Sequence, residues 1–292
     1  MAVYNEEDNS MLRQLQLYEL NLLKTFADIC EKNYLKYYLI GGTMLGAVRH
    51  QGFIPWDDDV DIGMPREDYK RFMELVEDEI PDHMVFLNYQ KDKEYLRYFS
   101  RLVDTRVKIY NDSNTDTLVE HAWIDIFPLD GTPDNKLRRW FFFTRLSATR
   151  VLYHFSCFEK MVNLMRPGRP LYQRILIKIG QKTKLGRNMD SKKILDKLDR
   201  RLQKFSFEDS KYVMNFFGAY VYREIIPREW FGDDSKYPFE DLMLTGPTVY
   251  DPYLRQFYGD YQIPPSDAHK DKHTITKIEF DEVASDGREA ER

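Results

Sequence analysis

The stretch from Gly41 to Pro65, GGTMLGAVRHQGFIPWDDDVDIGMP, gathers Asp57, Asp58, Asp59 and Asp61 around a single early arginine. Like charges at this density repel one another unless something positive sits among them. In a β-strand, residues two apart share a face, so Asp59 and Asp61 project together while Val60 turns into the core. Such a pair offers the oxygen ligands that Mg²⁺ takes. Asp57 and Asp58 follow Pro55 at the strand's entry and need not share that direction. An Asp-x-Asp alone is common on protein surfaces, so its flanks decide its meaning.

Upstream, the strand-like YYLI runs into Gly41-Gly42-Thr43 and a helix. Glycines at a strand-to-helix turn let backbone N–H groups approach a ligand, and a helix N-terminus favours negative charge. The turn reads as a phosphate cradle with the Thr43 hydroxyl as an extra donor, or else as a tight packing turn. Downstream, Asp125 is the polar residue of the otherwise apolar WIDIF. A carboxylate there is either an uncompensated cost or a ligand facing the other two. Asp59, Asp61 and Asp125 beside a glycine turn describe a site for metal-assisted phosphoryl-type transfer. One or two Mg²⁺ ions, or Mn²⁺ in their place, would neutralise phosphate charge there. Asp125 could also accept the proton of an attacking hydroxyl. Arg49 could grip phosphate oxygens with its fork or pair with a nearby aspartate. Arg101, in FSRLVD, is a weaker phosphate candidate, and His50 is expected to be structural.

Holding these groups takes a mixed α/β (α+β) core, a mixed sheet flanked by helices. A helix is expected from an N-cap at Ser10 to about Glu31, with Leu12, Leu15, Leu22, Leu23, Phe26 and Ile29 as its core stripe. YYLI and VDIGM read as strands, TMLGAVRH as a short helix, and Arg66 to Glu79 as a third helix. MVFLN, YFSRLVD, RVKIY and AWIDIFPLD read as four more strands. Four parts are expected: a catalytic core over 1–135, a basic and mainly helical segment over 136–205, a Tyr- and Pro-rich part over 206–280 that completes the catalytic unit, and a disordered polar tail over 281–292. The basic segment is expected to break at RPGRP and near Gly186.

A chain of 292 residues with 42% hydrophobic and 31% charged residues has the composition of a globular protein with a real core. Two cysteines make no disulfide framework, and the N-terminus MAVYNEEDNSML lacks a signal peptide's basic and apolar regions. No stretch approaches the roughly 18 apolar residues that cross a bilayer. The expected location is cytoplasmic. A net charge of −5 argues against a nucleic-acid partner. Yet Lys136 to Lys204 holds 19 Lys and Arg against 4 Asp and Glu, which leaves 24 against 44 elsewhere. Such a split suggests a segment that meets something anionic, or a basic face packed on acidic neighbours.

The runs GGTMLGAVRHQGFIPWDDDVDI, WIDIFPLDG and YGDYQIPP resemble the LicD family, relatives of fukutin in the nucleotidyltransferase-fold superfamily. The resemblance covers about 40–265, is weakest over the basic segment, and shows no departure at the three carboxylates. It implies a nucleotidyltransferase-like sheet and a metal-dependent transferase. The transferred group is a phospho-alcohol, similar to phosphocholine from CDP-choline. The acceptor is a sugar hydroxyl of a glycan or lipid-linked glycan such as teichoic acid or lipopolysaccharide, and CMP is released. In that pattern Asp59, Asp61 and Asp125 match the metal-binding carboxylates, and Gly41, Gly42 and Thr43 the phosphate-binding turn. A choline donor would call for an aromatic cage, with Trp56, Trp123, Tyr258 and Tyr261 as candidates. The basic segment, with Trp140 to Phe143, then suggests salt-sensitive peripheral contact with the anionic inner face of the membrane. Two rivals remain: a nucleotidyltransferase adding NMP to a small alcohol, and a non-catalytic scaffold that binds glycan or lipid.

Overall fold

Apolar residues at helical spacing build the first element. Helix α1 (Glu6–Lys32) buries Leu15, Leu22, Leu23 and Phe26 completely, while Leu12 stays half-buried. Ser10 lies inside this helix rather than capping it, because helical residues continue back to Glu6. The computed structural model describes residues 6–111, 118–158, 174–175, 177–178, 180, 182, 186, 188–233, 235–265 and 275–280. RPGRP and the tail after 280, for which a helix break and disorder are expected, lie outside the described residues.

The chain then alternates β1 (Tyr38–Leu39), α2 (Gly41–His50), β2 (Asp61–Pro65), α3 (Arg66–Glu79) and β3 (Met84–Leu87). Helix α2 starts at the two glycines themselves, two residues before the expected start. Long strands β4 (Ser100–Asn111) and β5 (Leu118–Gly131) follow. YFSRLVD and RVKIY, expected as two strands, are one: β4 absorbs the turn-like Asp104-Thr105 as a bulge against β5. Asp104 stabilises that bulge by accepting the Arg106 backbone N–H at 3.0 Å and its Nε–H at 2.9 Å. Helices α4 (Lys136–Ser156) and α5 (Ser191–Leu202) come next. Short strands β6 (Tyr212–Met214), β7 (Ile225–Pro227), β8 (Lys236–Phe239) and β9 (Leu242–Thr245) lead to α6 (Tyr250–Tyr258) and β10 (Ile275–Phe280).

These strands form the mixed α/β architecture expected, with an eight-stranded sheet whose main path is β1-β2-β5-β4-β10. Strand β3 adds to β4, β6 joins β5 and β7, and β8-β9 is a separate hairpin. β2 and β5 run parallel, whereas the other paired strands are antiparallel. Parallel neighbours need a crossover, and here α3, β3 and β4 supply it. The main core joins α1, α2 and the sheet with side chains from the C-terminal third, including Phe231, Tyr253 and Phe257. A second cluster joins Phe143, Leu146 and Tyr153 of α4 to Leu195, Leu198 and Leu202 of α5.

Candidate active site

Strand register sets the geometry. Asp61 on β2 stands opposite Asp125 on β5, and Asp125 stands opposite Arg101 on β4. Residues in register across a sheet share a face, so the three side chains form one row. Val60 and Ile62 are fully buried while Asp59 and Asp61 are only partly so, which is the alternation expected of the acidic run. The Val60 carbonyl accepts the Asp125 N–H at 2.8 Å and locks the two segments together. Burial first, then Asp59, Asp125 and Asp57, push the Asp61 carboxyl well above the usual carboxylate range.

The loop before β2 is held by its backbone. Gln16 of α1 donates its side-chain amide to the Asp57 carbonyl at 2.9 Å. One turn further along α1, Glu19 is fully buried, and neither of its carboxylate oxygens has a hydrogen-bond partner. Burial first, then Asp58, Asp59, Asp57 and Asp125, raise its pKa well above the usual value. Glu19 is a site neighbour that sequence reasoning missed. Its signal was there, because Leu15, Glu19, Leu22 and Phe26 share one helical stripe and a carboxylate in a core stripe demands a reason.

The glycine turn lies against the same carboxylates. Gly41 adopts φ +55°, and a Cβ added there would stand 3.0 Å from Asp61 Oδ2; at Gly42 it would stand 2.9 Å from Asp57 Oδ2. Side chains at these positions would fill the space beside the acids. No side chain caps the N-terminus of α2; the Gly41 N–H donates to the Tyr253 hydroxyl at 3.1 Å. Thr43, expected as a phosphate donor, accepts the Asp61 N–H on its Oγ1 at 2.7 Å and so ties the turn to the strand.

The two arginines have protein partners. Arg101 is buried, donates from Nε to Asp125 Oδ1 at 2.7 Å and from Nη1 to Glu120 at 3.1 Å, and lies 4.2 Å over the Trp123 ring. That ring, one of the expected cage candidates, is thus covered by a guanidinium. Arg49 donates to the Tyr261 carbonyl at 2.8 Å, and burial lowers its pKa. His50 packs edge-on to Trp56, a structural contact. Of the four cage candidates, Tyr258 is buried, and burial first, then Tyr220, Tyr253 and more distantly Asp61, raise its pKa. Its ring meets Tyr220 at 5.7 Å and 86°, a near-perpendicular corner. Glu224 sits by that corner and accepts the Tyr220 N–H at 3.1 Å; desolvation pushes its pKa up to about 7. Tyr220, Glu224 and Tyr253 carried no signal in the sequence, because 206–265 shows no clear periodicity.

A hard divalent cation prefers oxygen ligands, and Asp59, Asp61 and Asp125 supply only oxygen. Among the described residues, no three acidic, histidine or cysteine groups are already drawn tightly around one point. The fit therefore rests on charge. A fully buried Glu19 without a hydrogen-bond partner, and an Asp61 pushed up by burial first and then by its acidic neighbours, both mark a spot where further negative charge is disfavoured.

This acidic row beside a glycine turn lies within residues 34–151, which match the family described as LicD/FKTN/FKRP, nucleotidyltransferase domain. Over these residues the chain resembles that family. Its LicD-type domain is similar to known transferases. Lipopolysaccharide cholinephosphotransferase LicD of Haemophilus influenzae is 27% identical over 273 residues, which cover 90% of this chain and 96% of that one. Ribitol 5-phosphate transferase FKRP of Homo sapiens is 50% identical over 40 residues, 14% of this chain and 8% of its own length, and that of Mus musculus matches equally. Tyr220, Glu224, Tyr253 and Tyr258 lie outside the matched LicD segment.

Proposed function

We propose that this protein moves phosphocholine from CDP-choline to a sugar hydroxyl of a cell-surface glycan precursor, of the lipopolysaccharide or teichoic-acid kind, and releases CMP. The observation that carries the reading is the Asp61–Asp125 register beside the Gly41-Gly42 turn. Similarity over nearly the whole length of a cholinephosphotransferase supports it.

Asp59, Asp61 and Asp125 would hold Mg²⁺, with Mn²⁺ able to replace it. When bound, the ion supplies positive charge that stabilises the phosphate oxygens as the bond to CMP breaks. The chain's own residues do the rest. The glycine turn admits the diphosphate close to the backbone. Arg101 holds Asp125 by Oδ1 and so orients the carboxylate, leaving Oδ2 to take the proton of the attacking sugar hydroxyl. The sugar oxygen bonds to the phosphorus that carries choline, the P–O bond to CMP breaks, and the proton leaves through Asp125 to solvent.

The choice of a cationic alcohol over ribitol rests on the Tyr220–Tyr258 corner with Glu224 beside it. Aromatic faces and a carboxylate attract a quaternary ammonium and have no comparable attraction for a neutral polyol.

The test is CMP release by purified protein in Mg²⁺ with CDP-choline, CDP-ethanolamine, CDP-glycerol or CDP-ribitol, with and without acceptor glycan. CDP-choline is expected to be the best donor, and Asp61→Asn to lose at least ~100-fold in turnover. An Asp61→Asn variant with near-normal turnover would overturn the site. Pyrophosphate release from a nucleoside triphosphate would point instead to NMP transfer. A wild-type protein inert toward all four donors would leave the scaffold reading.

A further inference from the structure

Helix α4 is apolar on the side that faces water. With 3.6 residues per turn, Leu137, Trp140, Phe141, Thr144, Ala148 and Leu152 fall on one stripe, and each is exposed. The large ones are 63% (Leu137), 51% (Trp140), 59% (Phe141) and 43% (Leu152) accessible. The opposite side of the helix already has its partners, since Phe143, Leu146 and Tyr153 enter the cluster with α5. Among the described residues, the outward stripe enters neither core cluster. Single exposed apolar residues are ordinary, but a continuous stripe on one helix marks a contact surface.

Charge says what the contact is with. Arg138 and Arg145 border the stripe on one side and Lys136 on the other, all exposed. The segment around them, Lys136 to Lys204, holds 19 basic against 4 acidic residues in a chain whose net charge is −5. An aromatic and aliphatic ridge with cations on its flanks is the chemistry of a helix that lies in the plane of an anionic bilayer surface. No helix among the described residues is long and apolar enough to cross a membrane, so the contact would be one face deep.

We propose that α4 seats the protein on an anionic lipid surface through Leu137, Trp140, Phe141 and Leu152, with Lys136, Arg138 and Arg145 meeting the headgroups. The inference does not rest on the transferase reading. It does place a membrane near that site, because Phe143 on the inner side of α4 touches Tyr222 at 5.1 Å, two residues from both Tyr220 and Glu224.

The test is flotation of the full chain with phosphatidylcholine vesicles, with and without phosphatidylglycerol, at low and high salt. Binding is expected only with phosphatidylglycerol and to fall as salt rises. Trp140→Ser/Phe141→Ser is expected to lower binding roughly tenfold or more, and Arg138→Ala/Arg145→Ala roughly 30-fold at low salt. Because these side chains are exposed, thermal unfolding of each variant should match wild type, which separates lost binding from lost fold. Failure of wild type to float with phosphatidylglycerol at low salt would overturn the proposal, as would unchanged binding by both variants. If sedimentation velocity instead shows a dimer that Trp140→Ser/Phe141→Ser dissolves, without lipid binding, the stripe belongs to a second copy and the proposal fails.

Discussion

The parallel pair β2-β5 carries acidic residues at both ends, and the ends are treated in opposite ways. Just beyond Pro65 and Leu129, the buried Arg66 holds Asp130 through two bonds of 2.7 and 2.6 Å, Asp199 at 3.1 Å and the Tyr98 hydroxyl at 2.8 Å. That end is a closed network in which one guanidinium serves two carboxylates. At the other end, Asp59, Asp61 and Asp125 crowd together with Glu19 behind them, and the buried guanidinium there, Arg101, is shared between Asp125 and Glu120. Burial of acids is thus no sign of function by itself. The two clusters differ in how countercharge is shared: Arg66 serves both Asp130 and Asp199, whereas Arg101 serves Asp125 together with the more distant Glu120.

The contrast can be broken most directly at Arg66. Arg66→Met should leave two buried carboxylates without their cation and cost about 3–5 kcal/mol, read as a large fall in Tm or in the denaturant midpoint. Asp61→Asn, at the other end, should leave apo stability unchanged or higher by up to about 1 kcal/mol, because it relieves repulsion. Equal destabilisation by the two variants would erase the distinction.

Glu19 sharpens it. Glu19→Leu should stabilise the metal-free protein by about 1–3 kcal/mol, since it removes a buried carboxyl with no hydrogen bond. The sign with pH follows from the raised pKa of Glu19 in the fold. Its contribution is fully present below the ordinary glutamate value and is lost as pH rises toward the folded value, so the advantage of the leucine variant should grow from pH 4 to pH 8. Melting in EDTA across that range measures it. Added Mg²⁺ should raise the Tm of wild type by mass action and raise that of Asp61→Asn less.

A further pH-dependent effect is expected at Glu224. Its value near 7 means stability falls between about pH 4.5 and pH 7 and is flat above. Glu224→Gln should flatten that fall, by about 1–2 kcal/mol after allowing for its partial exposure. In the transferase assay the same variant should raise the KM for CDP-choline more than that for CDP-ribitol.

Much of this was legible from spacing. The alternation Asp59-Val60-Asp61 and the apolar frame around Asp125 pointed to strands; β2 begins only at Asp61, with Asp59 and Val60 in the loop before it, and its register with β5 brings Asp61 and Asp125 side by side. Spacing could not say who pairs with whom. Arg101 looked like a spare cation and is Asp125's partner; Thr43 looked like a phosphate donor and braces Asp61. Both roles depend on which strand lies beside which, and a linear pattern does not carry that. Glu224 ends a short 3-10 turn over Val221–Glu224 and Tyr220 precedes it, in a stretch with no repeat to read. Glu19 was legible as a carboxylate in a core stripe, but its position behind the aspartates depends on how α1 packs, which spacing does not carry.

The bond from the Gly41 N–H to the Tyr253 hydroxyl has a consequence for how the molecule comes into being. It joins two residues 212 positions apart in the chain, so the first leaves the ribosome well before the second. The glycine bend therefore acquires its final neighbour only after α6 has emerged and docked. A nascent chain halted before Tyr250 would carry the aspartates without the helix that closes over them. Any competence toward nucleotide should arrive only with α6, and in a single step.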